Sequence, residues 1–86
     1  MNEYNRARIR LVTNQDAVEF VSTLNTDGTA TRYSLENFDG KYRVNARSLL
    51  GVLYFVTEHN DDTFFVNDEG GDIPNFVDKY RPTGSK

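Results

Sequence analysis

No cysteine occurs in the 86 residues of this chain, which removes a disulfide framework and a thiolate metal site from consideration. No apolar run is long enough to cross a bilayer, and no apolar segment stands at the N-terminus. A signal peptide and a membrane span are therefore not expected, and a soluble cytoplasmic protein is. Repeats, low-complexity tracts and internal linkers are absent. So is an excess of cations: net charge is −3 and pI about 5.0, which argues against nucleic acid as a bulk partner. The charge is uneven, with seven Lys/Arg against six Asp/Glu in residues 1–50 and three against seven in residues 51–86. A chain of this length makes one domain with a small core. It is expected over residues 6–80, between flexible ends at 1–5 and 81–86, the latter closing on the breaker-rich "RPTGSK".

What is present reads as alternating strands and helices. "RARIRLV" (6–12) alternates Ala7, Ile9 and Leu11 with Arg6, Arg8 and Arg10, the period of a half-buried strand with a basic outer face. In "TNQDAVEFVSTLN", Thr13 and Asp16 resemble a capping box. Ala17, Phe20, Val21 and Leu24 follow at helical spacing, and Gly28 is a stop. "TATRYSLENF" predicts a second strand, with Thr31, Tyr33 and Leu35 opposite Arg32, Ser34 and Glu36. Asp39-Gly40 predicts a type I′ hairpin turn into "KYRVN", whose Tyr42 and Val44 share a face. A short helix, a strand over "DDTFFVND", an "EGGD" turn and a last helix complete the chain. In that helix Asp72 is the expected N-cap, Pro74 lies in the first turn, and Ile73, Phe76, Val77 and Tyr80 form the apolar face. The order β-α-β-β-α-β-α predicts a two-layer α+β sandwich. Three helices cover one face of a four-stranded antiparallel sheet, and the arginine-bearing face is open to water.

The stretch "VNARSLLGVLYF" (44–55) raises the functional question. It carries more large apolar side chains than one buried stripe of a short helix can use. Val52, Phe55 and Val56 form one set at i, i+3, i+4; Leu49, Leu50 and Leu53 form a second. Two apolar faces on one helix leave one exposed, and contiguous exposed leucines mark a contact surface. The competing readings are that loops cover this face or that the chain self-associates there, so the expected state is a monomer or weak dimer.

The same stretch resembles the HPr family, the histidine-containing phosphocarriers of the bacterial sugar phosphotransferase system. The family pattern there is roughly V-N-x-[KR]-S-[IL]-[ML]-G-[VI]-[ML]-x-L. This chain supplies Val44, Asn45, Arg47, Ser48, Leu49, Leu50, Gly51, Val52 and Leu53 in register. The element order is also that of HPr, over roughly residues 6 to 80. The resemblance implies an open-faced sandwich whose middle helix docks partner proteins through the positions of Leu49, Leu50 and Leu53. It also implies a serine, here Ser48, that many Gram-positive members carry as a regulatory phosphorylation site. A helix N-terminus with Arg47 adjacent suits added negative charge. The alternative is a plain N-cap hydroxyl worth about 1 kcal/mol.

The departure lies at the start of the first helix. With Phe20-Val21 as anchor, Thr13 stands where the family has its phosphocarrier histidine, Gln15 where it has arginine and Asp16 where it has proline. A threonine hydroxyl with no base beside it cannot replace a nucleophilic imidazole. His59, the only histidine, is remote in sequence and reads as a loop-surface residue. The expectation is a non-catalytic regulatory or adaptor domain, with no cofactor and no metal, binding a protein partner through the second helix.

Two rivals stand beside it. The arginine-lined sheet face, Arg6, Arg8 and Arg10, could bind RNA or another anion, although such faces normally interleave stacking aromatics, and Glu36 is placed to pair with the arginines. Alternatively Ser48, or His59, accepts phosphate in a rewired relay. The carboxylate loops "HNDD" and "NDEGGD" do not have EF-hand spacing and read as turns and caps.

Overall fold

The alternation of Ala7 and Ile9 with arginines is realised as a strand, Arg6–Ile9 (β1), in a computed structural model that describes residues 5–59 and 61–82. It is followed by helix Asn14–Asn25 (α1), strands Tyr33–Glu36 (β2) and Arg43–Asn45 (β3), helix Leu49–His59 (α2), strand Thr63–Asn67 (β4) and a 3-10 helix, Asn75–Tyr80. The sheet order is β1-β4-β2-β3 and every neighbouring pair is antiparallel. The fold is the open-faced α+β sandwich that the sequence predicts. Most of the ends expected to be flexible lies outside the described residues. Asn5 already extends the ladder, its carbonyl accepting from Asn67 N at 2.8 Å.

The register sorts side chains onto two faces. Ala7, Ile9, Tyr33, Leu35, Val44, Thr63 and Phe65 turn to the helices; Arg6, Arg8, Ser34, Glu36, Arg43, Phe64 and Val66 turn outward. Phe20 of α1 is the hub of the core. Its ring meets Phe65 edge-on at 5.4 Å, Tyr80 edge-on at 5.3 Å and Phe76 at 5.5 Å, while Tyr33 stacks on Phe65 at 5.0 Å. All four apolar positions of the α1 stripe, Ala17, Phe20, Val21 and Leu24, are buried. The capping box at its start is complete, with Thr13 and Asp16 satisfying each other's backbone amides.

The structure corrects the turns. Asp39 does not take positive φ; only Gly40 does, at 77°. The hairpin is a four-residue turn, Asn37–Gly40, closed by Gly40 N to Asn37 O at 2.9 Å. The buried Asn37 side chain fixes it by accepting from Tyr42 N at 3.1 Å. The same device recurs at Asn67–Gly70: the buried Asn67 accepts from Gly70 N on its carbonyl and from Glu69 N on its side chain, with Gly70 at φ 82°. An asparagine side chain that mimics a turn backbone, followed by a glycine in the left-handed region, explains both.

The last helix also differs from expectation. Pro74 holds extended backbone (φ −60°, ψ 146°) and stands outside the helix, which is of the 3-10 type and has no side-chain cap. Asp72 is not its N-cap; the Asp72 carbonyl accepts from Asn67 Nδ2 at 3.0 Å instead. With three residues per turn, Val77 and Tyr80 fall on one face, and both are buried. The Tyr80 hydroxyl reaches out of the core to donate to Glu19 Oε1 at 2.8 Å, and Lys79 Nζ lies 3.1 Å from the same oxygen. Burial, then the Glu19 bond, raises the Tyr80 phenol well above its ordinary pKa; the Tyr80 bond, then Lys79, holds the Glu19 carboxyl below its own. This pair fastens the C-terminal segment to α1.

Candidate functional site

The middle helix α2 has two apolar faces, because its first eight residues contain no charge and one glycine. At about 100° per residue, Val52 and Phe55 fall together and point inward; Val52 is 0% exposed and Phe55 2%. Val56 is half-buried against the same core. On the opposite side Leu50 is 82% exposed, Tyr54 68% and Leu49 38%. Leu53, expected to complete an exposed leucine trio, is half-buried and packs on the core. Tyr54, one turn on from Leu50, takes its place on the outer face. The i, i+4 spacing from Leu50 is the signal that identifies it.

Ser48 begins this helix. Its hydroxyl accepts from Gly51 N at 3.3 Å, its backbone N–H donates to Asn45 O at 3.0 Å, and its side chain is exposed. Arg47 does not lend its charge to Ser48. Its guanidinium runs to the far end of α1, donating to Leu24 O (2.9 Å), twice to Thr31 O (3.0 and 2.8 Å) and to Thr29 Oγ1 (3.2 Å), with Asp27 at 3.4 Å. Arg47 is a clamp that closes the orphan carbonyl end of α1 onto the loop before β2. The Asp27 carboxyl, lowered chiefly by the Thr29 backbone N–H, belongs to the same loop.

The α1 N-terminus, the region where the family resemblance places the phosphocarrier site, is occupied by the chain itself. Asp16 Oδ2 accepts from Val12 N at 3.0 Å and Thr13 N at 3.2 Å, while Thr13 Oγ1 accepts from Asp16 N at 3.0 Å. A carboxylate thus already stands at the start of the helix, and Gln15 beside it is exposed. His59 lies at the other end of the middle helix. Its ring sits between Phe55 (4.8 Å) and Tyr42 (5.1 Å), half-buried rather than free on a loop. Tyr42, on the same face as Val44, is nonetheless 61% exposed and covers His59 at the rim.

The β1 arginines do not form an open cationic stripe. The Arg6 guanidinium sits over the Phe64 ring, 3.9 Å from its centroid, pairs with Glu36 at 3.1 Å and donates to Phe38 O at 2.8 Å. Arg8 donates to Asp61 O at 2.9 Å. Arg10, beyond the end of the strand, pairs with the Asp61 carboxylate at 3.2 Å. These acidic partners lie on β2 and on the loop before β4, across the sheet. Among the described residues no group of three or more His, Asp or Glu side chains is placed to hold a metal ion, and no helix is long and apolar enough to cross a membrane.

Comparison with protein-family models, with curated proteins and with solved structures gives no match for this chain.

Proposed function

We propose that this chain is a non-catalytic, HPr-like regulatory or adaptor domain of the cytoplasm that binds a protein partner through the outer face of α2. The observation that carries the reading is Leu50 at 82% exposure, flanked by Leu49 and Tyr54 on a helix whose inner face already supplies the core. Exposing such a group has no benefit to the isolated fold, and an aromatic such as Tyr54 beside it is of the kind enriched at interface cores. Histidine phosphoryl transfer is disfavoured by Thr13 and by the self-capped α1 terminus. The RNA-binding rival loses force because each β1 arginine has an acceptor within the chain.

The test has two arms. Immobilised wild-type chain is expected to retain a specific partner from lysate of its own source, and Leu50→Asp, verified as folded by circular dichroism, to lose it. Retention of the same partner by a folded Leu50→Asp variant sinks the docking reading. In the second arm, phosphoenolpyruvate with the first phosphotransferase enzyme is expected to label nothing. Label on His59 contradicts the assignment of a non-carrier.

A further inference from the structure

A second region of the molecule is built as a site and is not used by the reading above. Beside the edge strand β3 lies a groove of about 490 Å³, bordered by the loop 29–32, the start of β2, the face of β3 and Asp68. That volume falls within the range of small-molecule sites. The groove gathers three guanidinium groups, Arg32, Arg43 and Arg47, with Asp68 in its lining and Asp27, Glu36 and Glu69 as their further ionic partners around it.

The three arginines are committed to different degrees. Arg47 is fully engaged and forms a rigid wall, since its bonds to Thr31 O and Leu24 O set the path of the loop. Arg43 is oriented by two carboxylates, Asp68 at 2.6 Å through Nη2 and Glu36 at 3.5 Å through Nε, and among the described residues no hydrogen bond uses its Nη1 amino group. Both Asp68 oxygens are engaged, since the second accepts from the Ser34 hydroxyl at 2.6 Å. Arg32 is the least committed. Among the described residues its ionic contact is Nε to Glu69 at 3.9 Å, and that Glu69 oxygen already accepts the Arg32 backbone N–H at 3.0 Å. Among the described residues, Arg32 is the arginine whose side chain has no contact within hydrogen-bond distance, whereas each of the others has one.

We infer that this groove binds a small oxyanion-bearing ligand, with a carboxylate or phosphate group received by Arg32 and the Nη1 amino group of Arg43. A planar guanidinium with unused parallel N–H donors matches such a group in bidentate fashion. The pre-set Arg43 and the clamped loop remove much of the ordering cost. The Thr31 and Ser34 side chains and the Val44 surface line the remainder of the groove.

The test is an amide NMR titration of the full chain at physiological ionic strength. Inorganic phosphate is used in one arm and succinate in the other, with Arg32→Ala and Arg8→Ala as variants. The expected result is saturable shifts confined to residues around 30–34, 43–47 and 68 in at least one arm. Saturation with phosphate alone identifies a phosphate-bearing ligand, with succinate alone a carboxylate, and with both the shared oxyanion chemistry. Arg32→Ala is expected to weaken binding at least about tenfold through loss of charge-assisted hydrogen bonds, and Arg8→Ala to leave it unchanged. The same spectra report whether each variant is folded. Non-saturating shifts spread over all exposed cations in both arms, or equal affinity in Arg32→Ala, overturn the inference.

Discussion

Val52→Asp is expected to leave the chain unfolded at neutral pH, whereas Leu50→Asp, two residues away on α2, is expected to change stability by no more than about 0.5 kcal/mol. Val52 is 0% exposed and lies among Phe55 and the sheet residues of the core. An aspartate there has no partner. Holding it neutral at pH 7 against an ordinary pKa near 3.9 costs about 4 kcal/mol. Losing the buried valine removes roughly 1.5–3 kcal/mol more. A domain of this length has a total stability of about 5–10 kcal/mol, so the sum takes most or all of it. Circular dichroism with urea titration of the two variants checks the pair. A cooperative, wild-type-like transition for Val52→Asp would mean that α2 packs by another face.

Arg47→Ala carries the second large effect. Truncation strips the donor from Leu24 O and from Thr31 O and leaves Asp27 without its cation, all at a side chain only 20% exposed. Hydrogen bonds to a charged group contribute about 1.5–3 kcal/mol each and are not additive within one network. The expected loss is therefore about 3 kcal/mol, seen as a lowered urea midpoint. Hydrogen exchange is expected to rise first at the end of α1 and in the loop 26–32. Arg47→Lys is expected to recover less than half of this, since an ammonium cannot span acceptors that a planar fork reaches together. Full stability in Arg47→Ala would remove the clamp from the account. It would also remove the rigid wall of the groove beside β3.

These two residues also show where sequence reading works and where it stops. Val52 and Phe55 were legible because helical period is a local property, and the same holds for Ala17, Phe20, Val21 and Leu24. The alternation in β1 and the Thr13–Asp16 cap were legible for the same reason. Arg47 was not. Its acceptors are backbone carbonyls of Leu24 and Thr31, brought to it by the fold, and a carbonyl has no signature in sequence. The arginine stripe was legible in part: alternation gave its face and placed Glu36 to pair with it, as it does with Arg6, whereas Asp61, 53 residues from Arg8, is brought there by the fold. The turns at Asn37–Gly40 and Asn67–Gly70 share an N-x-x-G spacing that was available in the sequence. Pro74 stands just before its helix rather than in the first turn because its ψ stayed extended, which composition does not specify.

The outer face of α2 follows the same logic. Its apolar character was plain, yet the split between exposed and covered positions depended on how the helix is rolled on the sheet. That roll puts Tyr54 outward and draws Leu53 partly in.

Hydroxyl-radical footprinting of the free chain in dilute solution, read residue by residue along α2, addresses this arrangement most directly. Leu50 and Tyr54 are predicted to be modified readily while Val52 and Phe55 stay protected. Protection of Leu50 and Tyr54 to the level of Val52 would contradict a face that stands open to receive a partner.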